Sequence, residues 1–557
     1  MSTHPAALPA PLAVTVARTR RLRDALLGVR TAYVLGVLVL VQWLAVLALA
    51  LTVRHNGWLY YAGGDQLWHY TGAHVLARGD LPLALVGYGW SVLLVPIAAL
   101  AGPNLISALP AMVLFNTLVL VPIALLCIYG IAARVAGRLF GYWAAALWIA
   151  VPYLGILFVE HGYHQKYTEL TLPQVVGLTS VPDFPAMVAL LVSAYLCLRA
   201  LDATGWHAAA GAGVAAGYSI AIKPSNALFL VAPALLLLVQ RRRDVLPFAV
   251  GLAPALLTLA IWKYRGLGEL AAAPAEGIRV AAGEGLLDRI HRPELNSWGH
   301  LHQVLLGLRE HFWISRVIEW LPLAGLVALL IRSRRGSLLI GTWFVAYLLV
   351  KGTYIPASIE DASFWRILLP AFPAFVLLTA AVVLLVPRVR ARPGGAFVPI
   401  DRKKAAVVFG TATAVFAVAP LAVVAAMPPL HDAGTKAVRL GEILIPVSSE
   451  LAARAAVEDE TVRLSWHGHE PESTRVFYRI LRSSAAADTA CGGRRNAAAD
   501  DCRLYSDSVA ATRGTTFVDR PGAGTWTYRI GVAANWLDDE RYGDVYVVGP
   551  PIRVSVR

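Results

Sequence analysis

The stretch YVLGVLVLVQWLAVLALALTV, residues 33–53, decides the class of fold. It carries no charged residue and is long enough to cross the ~30 Å hydrocarbon core of a bilayer as one helix. No small-residue cleavage site follows it, so it predicts a first transmembrane helix rather than a signal peptide. Because basic residues collect on the cytoplasmic side, the arginines before it predict a cytoplasmic N-terminus. These arginines are Arg18, Arg20, Arg21, Arg23 and Arg30.

The composition of the whole chain agrees with a membrane protein. Of its 557 residues, 57% are hydrophobic and 15% charged, and the mean hydropathy is +0.60. Soluble domains are much more charged. The net charge of +14 comes from short basic clusters between apolar runs, which is typical of cytoplasmic loops and not of a nucleic-acid-binding face. The sequence therefore predicts a multi-pass protein of the plasma (cell) membrane, with the lipid bilayer and no nucleic acid as partner.

Ten further apolar runs predict ten further spans, so the expected fold class is an all-α polytopic membrane protein of about eleven helices. The predicted spans are 108–131, 140–158, 184–200, 206–222, 224–240, 245–262, 314–331, 337–351, 366–386 and 405–427. Arginine clusters at 241–243, 332–335 and 388–404 mark cytoplasmic loops. Loops 54–85, 159–183 and 263–313, together with everything after 428, are then extracytoplasmic.

One apolar run does not fit this count. Residues 86–101, VGYGWSVLLVPIAALA, are short for a crossing and contain Pro96. If they crossed, Arg134 and Arg138 would become extracytoplasmic and every later arginine cluster would lie on the wrong side. We therefore interpret 86–101 as a juxtamembrane or broken helix.

The C-terminal residues 431–557 have the composition of a soluble domain. Runs such as TVRLSWHG, STRVFYRILRSS and GTWTYRIGVAANW alternate apolar and polar residues between turns, which predicts an all-β sandwich. With Trp466 and Tyr478 on successive strands, it resembles a fibronectin type III domain. Cys491 and Cys502 close a short polar loop and predict a disulfide, which persists in an oxidising compartment. A zinc site is less favoured, because no second cysteine pair or histidine lies at ligand spacing.

Three polar residues lie where loops meet predicted helices. Asp65 follows two glycines in YYAGGDQLWHYTGAHVL, Asp183 opens a helix in SVPDFPAMVALL, and Lys223 lies in the turn IAIKPSN. Each also has a purely structural interpretation. The aspartates stand where residues cap helices, and Lys223 is placed as a lysine that extends to the membrane surface.

Two loop segments supply second-line candidates. Glu160, His161 and His164 in VEHGYHQK are spaced so that they could bind a metal ion, although a solvated loop explains them as well. Glu360 and Arg366 in KGTYIPASIEDASFWR belong to a loop predicted on the same side, where they could complete a pocket or form an ordinary exposed loop.

In order and topology, these segments resemble the GT-C class of membrane glycosyltransferases, similar to the protein O-mannosyltransferases and aminoarabinose transferases. The resemblance rests on the acidic first loop followed by YGWSVLLVPIAAL, on VPYLGILFVEHGYHQKY, on SVPDFPAMVALLVSAYLCLRAL and on GYSIAIKPSNALFLVAPALLLL. It covers about residues 33–262. It implies a seven-helix catalytic module over 31–262, after a cytoplasmic segment 1–30 and before a region 263–430 with a loop and further spans.

The resemblance also implies roles. A sugar would pass from a polyprenyl-phosphate donor to a glycan, lipid or protein acceptor, with Asp65 as general base. Lys223 would bind the donor phosphate. Asp183 would orient the acceptor or help to hold a divalent ion such as Mg²⁺ or Mn²⁺, with no other cofactor expected.

Two other functions compete with transfer. A lipid or glycan transporter or flippase is the main alternative, but such proteins often have repeated halves and charges within the membrane. The sequence shows no repeat, its predicted helices carry little internal charge, and its candidate acidic residues lie at one face. A membrane anchor for the β-domain would need one span, not eleven. A nucleotide-sugar donor is unsupported, because no nucleotide-binding glycine motif is present.

Overall fold

The structure is a computed structural model in which helices precede a β-domain. The residues that it describes are 22–52, 65–82, 84, 86–102, 105–202, 204–267, 296–360, 363–386, 402–427, 437–440, 443–446, 448–467, 476–484, 507–534 and 545–557. Cys491 and Cys502 lie outside this set, so their pairing stays a prediction.

Fifteen helical elements from residue 31 to residue 426 are labelled in chain order. They are α1 Thr31–Thr52, α2 Asp65–Ala77, α3 Tyr88–Ala101, α4 Ala108–Ala136, α5 Arg138–Phe158, α6 His161–Lys166, α7 Asp183–Asp202, α8 His207–Ile222, α9 Pro224–Gln240, α10 Arg242–Arg265, α11 Trp298–His311, α12 Ser315–Arg332, α13 Thr342–Lys351, α14 Ser363–Leu385 and α15 Arg402–Ala426.

Seven of these helices are long and apolar enough to cross a membrane, so the chain is a multi-pass membrane protein. They are α1, α4, α5, α7, α10, α14 and α15. Helices occupy the other four predicted positions as well, but α8 and α9 are shorter apolar helices and α12 carries Arg316, Glu319 and Arg332. The predicted count of eleven spans is therefore not confirmed within the described residues.

Small residues bring α8 and α10 together. Helix α8 contains the sequence HAAAGAGVAAG. The backbones approach so closely that a Cβ added to Gly213 would lie 2.0 Å from the carbonyl oxygen of Phe248 in α10. Helices in lipid approach this closely only where side chains are minimal, because packing replaces the hydrophobic effect as the driving force. This contact fixes α8, which ends at Lys223.

Helix α3 is the apolar run whose crossing was in question. Its 14 residues rise only about 21 Å, which is short of the hydrocarbon core. It packs against α2 and α8. At its start, a Cβ on Gly87 would lie 2.1 Å from the carbonyl oxygen of Ala221, so the glycine permits α3 to meet the end of α8 directly.

The C-terminal domain consists of antiparallel strands. They are β1 Ala437–Leu440, β2 Ile443–Pro446, β3 Ala453–Glu458, β4 Thr461–Trp466, β5 Val476–Ser484, β6 Asp507–Thr512, β7 Thr516–Asp519, β8 Gly524–Ala534, β9 Val545–Val548 and β10 Ile552–Val556. One sheet has the order β3-β4-β7, another β10-β8-β5-β6 with β9 also on β8, and β1 and β2 form a hairpin.

The two larger sheets share one core, as a sandwich requires. Val462, Leu464 and Trp466 of β4 pack in it with residues of β5, β8 and β10. Trp466 and Tyr478 meet edge to face with ring centroids 5.4 Å apart. The β-sandwich is therefore confirmed, whereas its likeness to fibronectin type III stays a prediction. A second apolar cluster contains Leu481 of β5 and Val548 of β9 together with Trp68 and Trp90 of the membrane module.

Candidate functional site

Four charged residues from four distant parts of the sequence meet in one cluster, which we name the charged quartet. Its members are Asp65, Asp183, Lys223 and Arg366. Arg366 Nη2 pairs with Asp65 Oδ2, and Arg366 Nε lies 3.1 Å from Asp183 Oδ2. Lys223 Nζ pairs with the other oxygen of Asp183. Two carboxylates and two cations thus balance, and the Asp183 side chain is completely buried.

The position of each member follows from local structure. Asp65 and Asp183 are the first residues of α2 and α7, where the helix dipole stabilises negative charge. Lys223 is extended between α8 and α9 (φ −135°, ψ 100°), as expected for a residue before a proline. Arg366 lies in the first turn of α14. All four therefore sit at helix starts or ends.

The segment that leads to Asp183 is pinned by buried polar side chains. Asn116 of α4 donates hydrogen bonds to the carbonyl oxygens of Gly177 (3.2 Å) and Thr179 (2.9 Å). Trp90 Nε1 donates to Ser180 O at 3.0 Å, and Gln66 Oε1 accepts from the Ser180 amide at 3.2 Å. Buried polar groups are costly unless paired, and here their pairing holds the backbone before Asp183 against α2 and α3.

The turn at Lys223 is held in a similar way. Ser219 Oγ donates to Ala186 O of α7 at 2.8 Å and accepts from Asn226 Nδ2 at 2.9 Å. Tyr347 of α13 donates to Asn226 Oδ1 at 3.1 Å. The lysine therefore extends from a rigid turn toward Asp183.

A buried histidine near the quartet was not anticipated from the sequence. His69 lies one turn along α2 from Asp65 and is 2% exposed. Burial, with smaller contributions from Lys263 and Lys223, lowers the pKa of His69 to about 3, so its imidazole is neutral. A neutral ring adds no positive charge beside Lys223.

A second polar cluster, which we name the His311 clasp, consists of His311, Glu160, Glu360 and Tyr163. His311 Nδ1 lies 2.9 Å from Glu160 Oε1, and its Nε2 lies 2.8 Å from Glu360 Oε1. The imidazole stacks on Tyr163 with ring centroids 4.5 Å apart. His311 was missed at the sequence level, because nothing in LREHFW distinguishes it from a surface histidine.

The other second-line candidates divide between these clusters and the surroundings. Arg366 joins the charged quartet, and Glu160 and Glu360 join the clasp. His161 is exposed. His164 is buried, its Nε2 has no hydrogen-bond partner among the described residues, and burial followed by His161 lowers its pKa. The His164 amide donates to the carbonyl oxygen of Glu160 at 3.0 Å, but among the described residues neither histidine side chain forms a hydrogen bond or ion pair with either cluster.

Two sets of residues were tested as ligands for a divalent ion. At the quartet, Arg366 and Lys223 already occupy carboxylate oxygens of Asp65 and Asp183, so the donor set there does not suit a further cation. Near the clasp, Glu310, His311 and Glu360 offer ligand atoms within 4.8 Å of one another, which is a possible metal site. Both ring nitrogens of His311, however, are engaged by carboxylates.

Solved structures of three proteins resemble this chain. ArnT from Cupriavidus metallidurans bound to undecaprenyl phosphate is 14% identical, with 63% of this chain and 61% of that chain covered and a TM-score of 0.41. The oligosaccharyltransferase AglB from Archaeoglobus fulgidus, in complex with an inhibitory peptide and a dolichol-phosphate, is 14% identical, with coverage of 71% and 55% and a TM-score of 0.41. Arabinosyltransferase EmbB from Mycobacterium smegmatis is 14% identical, with coverage of 76% and 39% and a TM-score of 0.35.

These similarities are distant. No family model and no curated protein matches the sequence. All three solved proteins are GT-C glycosyltransferases, the class that the sequence resemblance names. The chain spans less than two thirds of the length of each of them, so an activity for this chain has to rest on its own residues.

Proposed function

We propose that the chain is a membrane glycosyltransferase that moves a sugar from a polyprenyl-phosphate donor to an extracytoplasmic acceptor. The observation that carries the proposal is the charged quartet, in which Asp65, Asp183, Lys223 and Arg366 converge at the ends of four helices. Two carboxylates beside two cations supply what the reaction needs, namely a proton acceptor and counter-charges for a phosphate leaving group.

Asp65 is the general base in this proposal. The acceptor hydroxyl oxygen bonds to the anomeric carbon of the sugar while the carbon–oxygen bond to the phosphate breaks. The electrons of that bond leave with the polyprenyl phosphate, and the hydroxyl proton passes to the Asp65 carboxylate. Asp65 suits the role better than Asp183, because its side chain is 21% exposed whereas that of Asp183 is fully buried.

Lys223 and Arg366 bind the phosphate. Their side chains are 23% and 29% exposed, so a phosphate oxygen can approach both. Asp183 contacts both cations from the buried side and orients them. Because the charges are in place before the reaction, little reorganisation energy is needed in the transition state. Arg366 can offer further donors of its planar fork to a phosphate while it remains paired.

A transporter or flippase is less well supported by the same residues. Transporters bind their cargo near the midplane of the bilayer, at broken helices. The helix ends that carry all four quartet residues are instead predicted by the arginine bias to lie at the extracytoplasmic face. Because the arginine bias predicts an extracytoplasmic face here, we also propose that the acceptor arrives from outside the cell.

The sidedness has a direct test. A cysteine replacing the exposed Asp80, which follows α2, should react with a membrane-impermeant maleimide in intact cells. The two cysteines in the described part, Cys127 and Cys197, are buried. Labelling only after the membrane is permeabilised would contradict an extracytoplasmic site.

The function itself is tested with purified protein in liposomes. A panel of polyprenyl phosphates carrying hexoses or pentoses is supplied together with candidate glycan, lipid and peptide acceptors, and acceptor-dependent release of free polyprenyl phosphate is measured. Asp65→Asn should lower turnover by about 100-fold or more, because a general base contributes roughly 10²–10⁴-fold. Asp80→Asn, an exposed carboxylate near the other end of α2, is the matched control. Wild-type turnover by a folded Asp65→Asn protein would refute the base assignment.

The expected Mg²⁺ or Mn²⁺ stays a prediction that the same assay tests. In the proposed reaction the counter-charge comes from Lys223 and Arg366, so EDTA should leave the rate unchanged. A large loss in EDTA that Mg²⁺ restores would assign part of that charge to a bound ion, for which Glu310, His311 and Glu360 offer ligands.

A further inference from the structure

The His311 clasp ties the start of α6 to the segment before Arg366. Its ring bridges Glu160, which directly precedes α6, and Glu360, which lies six residues before Arg366. An imidazole that donates from both nitrogens is positively charged. Burial alone would lower the pKa of His311, but the hydrogen bonds to Glu160 and Glu360 raise it above the ordinary value.

Tyr163 also connects His311 to the residues next to Arg366. It stacks under His311 and donates a hydrogen bond to Ile359 O at 2.7 Å. Its hydroxyl oxygen also accepts from Trp365 Nε1 at 3.0 Å. Trp365 directly precedes Arg366, so Tyr163 binds the chain both at Ile359 and next to the arginine.

The other side of the clasp is anchored by the backbone. The Glu160 amide donates to the carbonyl oxygen of His311 at 2.8 Å, and Lys166 Nζ donates to Glu360 O at 2.5 Å. The first bond joins the start of α6 to the end of α11, and the second holds Glu360 against α6.

We propose that His311 is a positioning residue for Arg366. The clasp fixes the position of the first turn of α14, and this position places Arg366 between Asp65 and Asp183. This inference rests on the proposed function, in which Arg366 meets the phosphate as its negative charge develops. Misplacing such a group by about 1 Å costs up to 10²-fold in rate.

The experiment compares His311→Ala with Arg309→Ala. Arg309 lies on the same helix and makes a bidentate pair with Glu319, with N–O distances of 2.7 and 3.0 Å, so its loss is a matched control that leaves the clasp intact. We expect His311→Ala to lower kcat by about 10- to 100-fold, with a much smaller change in KM for the donor. Arg309→Ala should keep kcat within about 2-fold of wild type, because its partly buried pair with Glu319 belongs to neither the clasp nor the quartet.

Two further measurements separate positioning from general damage. Added imidazole should partly restore kcat in His311→Ala and not change Arg309→Ala. Hydrogen exchange over residues 363–368 should be faster in His311→Ala alone, and this readout needs no activity. If wild type transfers no sugar, the proposed function fails, and the exchange data still decide the clasp.

Three outcomes would overturn the proposal. One is wild-type kcat in His311→Ala, even with a lower Tm, which would make the clasp merely structural. Another is unchanged exchange over 363–368. The third is a Mg²⁺-dependent rate that EDTA abolishes in wild type and that His311→Ala has lost, which would make His311 a metal ligand instead.

Discussion

The charged quartet and the His311 clasp are both charge clusters built from distant segments, yet they differ in balance and burial. The quartet pairs two carboxylates with two cations around the fully buried Asp183. The clasp surrounds one histidine with glutamates whose side chains are 43% and 63% exposed. A buried balanced cluster is sensitive to every member, whereas the clasp holds its buried ring between two exposed glutamates, whose ion pairs are weaker. This difference is why we propose chemistry for the quartet and alignment for the clasp.

The largest expected effect comes from the buried member of the quartet. Asp183→Ala leaves Lys223 and Arg366 without their shared partner and should lower the free energy of unfolding by about 3–5 kcal/mol, with loss of transfer. Thermal unfolding in detergent measures it. The double variant Asp183→Leu/Lys223→Met should lose less than the sum of its single variants, because contacting residues couple. Strict additivity would mean that the two are not paired.

Next in size is the replacement of the bridging arginine. Arg366→Lys keeps the charge but cannot pair with Asp65 and Asp183 through a planar fork. Losing one charge-assisted hydrogen bond costs about 1.5–3 kcal/mol, so kcat/KM should fall at least tenfold, while Lys223→Arg retains most activity. Equal activity of Arg366→Lys and wild type would show that the bridge is dispensable.

A smaller effect is expected within the clasp. Tyr163→Phe keeps the ring under His311 but removes the hydrogen bonds to Ile359 and Trp365. Leaving buried groups unpaired costs about 1–3 kcal/mol, which should appear as a lower Tm and a several-fold lower kcat. A drop in activity as large as that of Asp65→Asn would erase the distinction between the two clusters.

The smallest effect is a pH dependence. Because the pKa of His311 is raised in the folded state, its contribution to stability is complete below the unfolded value of about 6.5 and is lost as pH rises through the folded value. The Tm difference between wild type and His311→Ala, measured in EDTA, should therefore shrink as the pH rises above the ordinary histidine range and through the raised pKa of the folded state. A Tm difference that grows with pH would contradict a positively charged His311 in the folded protein.

The sequence indicated which residues belong to the quartet, but it did not indicate which of them pair with each other. Asp65, Asp183 and Lys223 could be chosen because each stands where a loop or turn meets a predicted helix, in segments that resemble the GT-C class. Arg366 entered only as a second-line residue, since its partners lie far away in sequence. His311 and His69 were missed because burial and pairing of a histidine depend on tertiary contacts that no local spacing encodes.

The fold was also only partly predictable from the sequence. Apolar runs located the helices, but the count of eleven spans is not confirmed among the described residues, because α8 is short and α12 carries three charged residues. In the tail, β4, β5, β7, β8 and β10 follow alternating patterns. Strand β3, ARAAVE, was not predicted, because alanines in place of β-branched residues weaken the strand signal.

The spacing of the quartet along the chain has a consequence for biosynthesis. Lys223 follows Asp183 by only 40 residues, so these two partners are synthesised close together, at the ends of consecutive helices. Arg366 comes 183 residues after Asp183 and also pairs with Asp65. The complete quartet can therefore form only after residue 366 has been made.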